Sequence, residues 1–224
     1  MHSPAHRAER VTPRLLHRLL NGRPLQPCRA PRRLLTVVSG DLDTAAGVAG
    51  LWLVRRPRSA HATSHTLLFE RCGRDWTYVG GSSGTADPLP GRRRKAGEPG
   101  QAGMVEVAGT GSVVSRAHVA HLHDVAPLAL PLIGCAELHV AAEVDHLVAG
   151  GRRVEVPAHG SLIVVWRFPP LPGTAAPGKA LSGPAATRPL IRCLAADGSP
   201  LSELRPGDYL DSFTWQRLRD QSRP

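Results

Sequence analysis

Between Cys135 and Phe168 the apolar residues fall on every second position: Leu138, Val140, Ala142, Val144, Val148, Val154, Val156, Leu162, Val164, Trp166 and Phe168. Polar or charged residues dominate the odd positions, with Glu137, His139, Glu143, Asp145, Arg153, Glu155 and Arg167. A period of two predicts strands with one buried and one wet face, as in an antiparallel sheet. The stretch reads as a three-stranded meander. A three-residue connection, Ala149-Gly150-Gly151, would pair Val144 with Val156 and His146 with Val154 and keep the apolar face continuous. A two-residue Gly-Gly turn would instead set Asp145 opposite Val156. Pro157-Ala158-His159-Gly160 has turn chemistry. Leu162-Ile163-Val164-Val165 is apolar on both sides, which predicts a central strand.

Other segments are weaker versions of the same signal. Thr66 to Arg71 and Asp75 to Val79 form a predicted hairpin around Cys72-Gly73-Arg74. Leu190 to Ala196 and Pro200 to Leu204 form another around Asp197-Gly198, pairing Leu194 with Leu201 and Ile191 with Leu204. Leu34 to Val38 and Ala46 to Arg55 are β-capable, with Gly40-Asp41-Leu42-Asp43 as the turn between them. Met104 to Val107 and Gly111 to Ser115 give one or two short strands. At the N-terminus, Thr12 can cap a helix that starts on Pro13 and stops at Gly22, with Leu15, Leu16, Leu19 and Leu20 on one face. Residues 1–10 are expected to be disordered. Asp211 or Ser212 can cap a second short helix containing Phe213, Trp215 and Leu218.

These elements predict a mainly β chain: an antiparallel β-sandwich-like domain with a short helix at each end. The organisation read from them is a basic arm over 1–33, the sandwich over 34–204, and a tail over 205–224. Two Pro/Gly-rich insertions, near 80–103 and 169–188, are expected to be flexible. Trp52, Trp76 and Trp166 are expected in the core.

Charge changes the picture because it is uneven. Of 28 Lys and Arg, 26 are Arg; residues 1–95 hold 17 basic against 6 acidic residues, and residues 96–224 hold 11 against 12. The surplus therefore belongs to the first half. The four cysteines, Cys28, Cys72, Cys135 and Cys193, include no C-x-x-C, which argues against a zinc ribbon or redox motif. Cys135 and Cys193 read as buried small apolar residues, with a disulfide between them open only if the protein is exported. Arg32-Arg33-Leu34-Leu35 followed by an apolar stretch and Ala60-His61-Ala62 resembles a displaced twin-arginine signal. Asp41, Asp43, Arg55, Arg56 and Arg58 interrupt that pattern, so the expected location is cytoplasmic. No run of about 18 apolar residues is present, so no transmembrane helix is expected.

Three pieces in order carry a resemblance: Trp76 to Gly84 (WTYVGGSSG), the Val144 to Trp166 hairpin with its Gly-Gly-Arg-Arg-Val turn, and LAADGSPLSEL from Leu194 to Leu204. Together they resemble a loose group of uncharacterised β-rich proteins from high-GC actinobacteria. The resemblance implies a β-sandwich-like fold. Its motifs are turn chemistry, so it brings no catalytic residue with it.

Two constellations could carry chemistry. His118, His121, His123 and Asp124 supply imidazoles and a carboxylate suited to zinc or another transition metal, and His121 and His123 share a strand face. The bland reading is a polar strand edge or loop. Arg14, Arg18, Arg29, Arg32 and Arg33, with Arg92, Arg93 and Arg94 of the first insertion, could neutralise phosphates without reading sequence. Aromatics are only 4% of the chain, too few for a single-strand stacking platform. Gly81-Ser82-Ser83-Gly84 does not follow a strand-to-helix turn, so no nucleophile elbow is expected; no complete phosphate loop appears, and no catalytic set or cofactor is predicted. The leading expectation is a non-enzymatic binding protein with a protein partner. A metal-binding protein or metal-dependent hydrolase and a nonspecific nucleic-acid binder are the alternatives.

Overall fold

The computed structural model describes residues 4–25, 34–86, 89, 92–115, 131–168 and 190–209. It is mainly β, and the described residues form eleven strands in three antiparallel sheets. The first sheet is a plain up-and-down array of β1 (Leu35–Asp43), β2 (Val48–Arg55), β3 (Thr63–Cys72) and β4 (Asp75–Thr85). In the second, β5 (Val105–Val114), β6 (Leu132–Val140) and β9 (Ser161–Arg167) lie in that order. The third is ordered β11-β10-β7-β8, from β7 (His146–Ala149), β8 (Arg152–Glu155), β10 (Ile191–Leu194) and β11 (Pro200–Leu204). Helices α1 (Pro4–Leu20) and α2 (Pro206–Tyr209) complete the described elements.

The alternation between Cys135 and Phe168 is real, but both faces of β6 and β9 are buried. Even residues (Ala136, Leu138, Val140, Leu162, Val164, Trp166) pack against Leu147, Val154, Ile191 and Cys193 of the third sheet. Odd residues (Ile133, Cys135, Ile163, Val165) pack against Val48, Trp52, Val54 and Leu68 of the first. The second sheet is thus the middle layer. The predicted wet face is a second core, and the meander is not one sheet: the β7–β8 hairpin leaves β6 for the third sheet before β9 returns to pair with it.

A break at Ala141–Asp145 separates β6 from β7, where the Val144 N–H donates to the Ala141 carbonyl and the Asp145 N–H to that of Leu194. It shifts the phase, so Leu147 and Ala149 face the core in place of Val148. With the phase shifted, the two-residue Gly150-Gly151 turn pairs Ala149 with Arg152 and Leu147 with Val154, both apolar partners inward. Both glycines are left-handed (φ 59° and 83°), as a type I′ turn requires. The expected three-residue loop is overturned because Asp145 lies before the strand and never opposes Val156. In the β10–β11 hairpin Ile191 pairs with Leu204 as expected, whereas a bulge sets Leu194 opposite Pro200.

Other boundaries also moved. Gly40 to Asp43 continue β1, and the turn is Thr44–Gly47. Gly80 to Thr85 continue β4, where a Cβ at Gly81 would lie 1.9 Å from the Thr66 carbonyl oxygen. Residues 92–103 are folded against the domain, with Gln101 buried. Residues 169–189 and the predicted helix after Asp211 lie outside the described residues. Trp52 and Trp166 are buried, and Trp76 packs beneath α1. Cys135 and Cys193 are buried thiols in different cores, separated by the middle sheet.

Helix α1 covers the outer face of the first sheet. Leu15 and Leu16 are buried against Val37, Ala49, Leu51, Leu53 and Phe69, with Leu19 and Leu20 beside them. The helix begins at Pro4, so Pro13 is internal and does not mark the start. Its end is as predicted: Gly22 is left-handed (φ 60°), with Gly22 N–H donating to the Leu19 carbonyl and Arg23 N–H to that of Arg18. No helix of the described residues is long and apolar enough to cross a membrane.

Since Leu15 is fully buried, α1 is part of the fold and not a loose arm. Leu15→Ala should lower unfolding stability by about 2–5 kcal/mol, read from urea denaturation followed by tryptophan fluorescence. A change indistinguishable from zero would show that the helix does not contribute to the domain.

Candidate functional site

The first and second sheets approach each other closely at both edges, like a flattened barrel. At one seam β9 is an edge strand whose outward N–H groups need acceptors. Side chains of β1 supply them: Ile163 N–H donates to Ser39 Oγ (2.7 Å) and Val165 N–H to Asp41 Oδ2 (2.8 Å). At the other seam, Gly80 of β4 lies against Val113 of β5, and a Cβ at Gly80 would come within 2.8 Å of Val113 Cγ1. Glycine is therefore needed where these strands meet.

Two carboxylates inside this barrel are held by arginines from the C-terminal half. Asp41 is buried and receives Arg152 Nη1 and Nη2 at 2.5 and 2.6 Å, a bidentate pair, with Asp43 at 3.7 Å from Arg152 Nε. Burial alone would lower the Arg152 pKa; the hydrogen bonds and charge of Asp41, then the charge of Asp43, raise it above the ordinary value. Arg152 also donates to the Val165 carbonyl at 3.2 Å, so one side chain of β8 joins all three sheets. At the far end Glu70, fully buried, pairs with Arg167 at 2.7 Å and accepts from the Ser115 hydroxyl. Arg167 further donates to the carbonyls of Ala46 (2.9 Å) and Gly47 (3.4 Å).

The opposite end holds the remaining interior polar groups. Thr66 donates its hydroxyl to Glu137, and burial pushes the Glu137 carboxyl up despite that bond. His139, next along the same face of β6, lies 2.9 Å from Ser161 Oγ and meets Trp52 in a tilted ring contact (centroids 5.7 Å apart, 45° between planes), and the Trp52 indole N–H donates to Ser64. His159 accepts from the Ser161 N–H and bonds the backbone of Val38, the residue bulged out of the β1–β2 register. Its pKa is lowered by burial, the Val38 bond working the other way and the charges of Arg93 and His139 adding to the decrease. This end brings together a carboxyl whose pKa burial raises and an imidazole, His159, whose pKa burial lowers. Each is also engaged in holding one strand to another.

The candidate metal ligands His118, His121, His123 and Asp124 lie outside the described residues, as do Arg29, Arg32 and Arg33. Among the described residues no group of three His, Cys, Asp or Glu side chains could hold a metal ion. The other predicted arginines are brought to different places. Arg14 is exposed on α1, and Arg18 donates to the Pro24 carbonyl at 2.5 Å, closing the turn after the helix. Arg93 donates to the carbonyls of Pro157, Val144 and Val156 at 3.0, 2.7 and 2.5 Å. Arg94 clasps the carbonyls of Pro99 and Gly100, and Arg92 pairs with Glu98 at 3.3 Å. The basic tetrad at 92–95 therefore folds its own connection onto the domain.

Sequence reasoning passed over a different set. Arg23, Arg56, Arg58, Arg71 and Arg74 are exposed in the α1–first-sheet layer, with no carboxylate partner among the described residues. Arg56 holds a left-handed backbone (φ 49°), the one such non-glycine among the described residues. The available signal was the strand phase: Asp41, Asp43 and Glu70 alternate with the residues that face α1, so the acids turn inward and leave these arginines uncompensated.

Comparison with protein-family models, with curated proteins and with solved structures finds no match to this chain.

Asp41→Ala should cost about 3 kcal/mol, since it removes the bidentate partner of Arg152, leaving only Asp43 at 3.7 Å, and leaves the Val165 N–H without its acceptor. The Asp41→Ala/Arg152→Met double variant should recover part of that loss in urea midpoint; an additive double would argue against the pair. Glu137 has the opposite sign of pH dependence from a salt-bridged acid. Its raised pKa contributes stability that is full below the ordinary carboxylate value and is lost as pH rises through the folded value. Glu137→Gln should therefore gain on the native protein between acidic and neutral pH in denaturation curves. A constant difference across that range would refute the burial of the charge.

Proposed function

We propose that this chain is a non-enzymatic binding protein whose α1–first-sheet layer meets an acidic partner. The observation that carries the reading is the segregation of charge. In that layer Asp41 and Asp43 face Arg152 and Glu70 faces Arg167, arginines from other layers, which leaves Asp75 as the exposed acid of β1–β4. Arginines of the same layer point outward. Among the described residues of the C-terminal half, Arg153 pairs with Asp145 and Glu155 and Arg205 with Glu203, and the exposed Arg192 is offset by the exposed acids Asp197 and Asp208. Among the described residues one side is self-neutralised and the other is cationic, a distribution that attracts and orients an acidic partner. The interior carboxylates and imidazoles are engaged as strand-to-strand links, which supports a scaffold serving an outer surface.

Retention of the full-length protein on immobilised heparin tests this against a charge-matched control. Arg56→Glu/Arg58→Glu should elute at clearly lower salt than native protein, whereas Arg192→Glu/Arg205→Glu, also two reversals, should elute near the native position. Equal shifts for the two pairs would mean that net charge alone governs retention and would remove the assigned face.

A further inference from the structure

The cationic layer extends the proposed binding role to a specific class of partner, and the following inference rests on that role. We infer that the α1–first-sheet layer is a sequence-independent docking surface for the phosphate backbone of duplex nucleic acid. Arg56 and Arg58 stand at the β2–β3 end of the sheet and Arg71 and Arg74 at the β3–β4 end, with Arg14 on the helix that lies across it. Strand β3 has ten residues, so the two ends are separated by about 30 Å at a rise of about 3.3 Å per residue. A partner reaching both must carry negative charge over that whole span. A nucleic-acid duplex does so, with one phosphate per ~1.7 Å of axis.

The chemistry of the layer fits phosphate better than the other acidic surfaces. Its outward cations are arginines, whose planar forks take phosphate oxygens in pairs. A stable protein–protein interface has an apolar or aromatic centre, whereas nucleic-acid interfaces are polar and strongly positive. Large apolar side chains exposed among the described residues are Leu34 and Tyr78 alone. A membrane surface would draw on the apolar face of α1, and Leu15, Leu16, Leu19 and Leu20 are turned against the sheet. A single strand would want several stacking rings, and Tyr78 is the one exposed aromatic among the described residues. The left-handed Arg56 adds an observation of its own. Glycine would hold that backbone without strain, yet the position presents a guanidinium beside Pro57-Arg58.

The test is fluorescence anisotropy of a labelled 20-base-pair DNA duplex titrated with full-length protein from about 50 to 200 mM NaCl. Affinity should fall as salt rises, and its log–log slope should lose about 0.9 for each phosphate contact removed. Arg56→Glu/Arg58→Glu and Arg71→Glu/Arg74→Glu should each weaken binding about tenfold or more at 100 mM salt, while Arg192→Glu/Arg205→Glu stays within about twofold. Thermal melts confirm that each variant is folded. Absence of duplex binding at the lowest salt, with heparin retention intact, would overturn this inference and leave the acidic-partner reading standing. Loss of both would remove that reading too. Tighter binding to poly-glutamate or to phosphatidylglycerol vesicles than to duplex would reassign the partner. If Arg29→Ser/Arg32→Ser/Arg33→Ser abolishes binding and the sheet reversals leave it unchanged, those three arginines and not the α1–first-sheet layer are responsible, and the inference fails.

Discussion

The Asp41 carboxylate is the point on which the three sheets converge. It sits on β1, accepts the Val165 N–H from the edge of the middle sheet, and takes the fork of Arg152 from the third. Each part depends on the others. Without Asp41, a buried edge strand would have a bare N–H and Arg152 would keep only the longer contact with Asp43. Without Arg152, the carboxylate would be a lone buried anion. The pair is a poor source of net stability compared with an apolar replacement, because two charges must leave water. What it supplies is register: a carboxylate that must meet both one N–H and one guanidinium fork fixes how β1 slides along β9.

That constraint explains why β9 can be an edge and a core strand at once. An exposed apolar edge such as Leu162-Ile163-Val164-Val165 would template aggregation. Here its two faces are covered by the first and third sheets and its edge by Ser39 and Asp41. The other seam is closed sterically, by Gly80 against Val113, since β4 and β5 belong to different sheets. Glu70 with Arg167 and Ser115 repeats the device at the far end. Arg167 there also gathers the Ala46 and Gly47 carbonyls of the β1–β2 turn.

Much of this fold was legible in the sequence where local rules act alone. The Cys72–Asp75 hairpin, the Gly22 helix stop and the leucine face of α1 depend on turn chemistry and periodicity over a few residues. The mainly β class followed from the alternation. What could not be read was where polar residues go when both strand faces are covered. Glu137, His139 and Arg167 look like a wet face, and alternation cannot distinguish water from a second sheet carrying Thr66 and Glu70. Gly40-Asp41 has turn composition, yet it continues β1 because its carboxylate has long-range partners more than 100 residues away. The phase break at Ala141–Asp145 likewise overrode a sound argument about register, since Leu147 and Val148 are equally apolar and either could face inward.

The same long-range pairing determines the electrostatic character of the surface. The first half of the chain has few acids, and three of them, Asp41, Asp43 and Glu70, are drawn inward by arginines of the second half. Each inward acid neutralises a cation of the C-terminal half and is unavailable to the arginines of its own layer. Folding thus amplifies an imbalance already present in the sequence, and it makes the cationic surface a consequence of the links that hold the sheets together. Arg93 and Arg94 show the converse. They belong to the most conspicuous basic run in the chain, yet their guanidinium groups are committed to backbone carbonyls. Linear charge density is therefore a poor guide to the surface charge here; the better guide is which cations have no internal acceptor once the strands are in register.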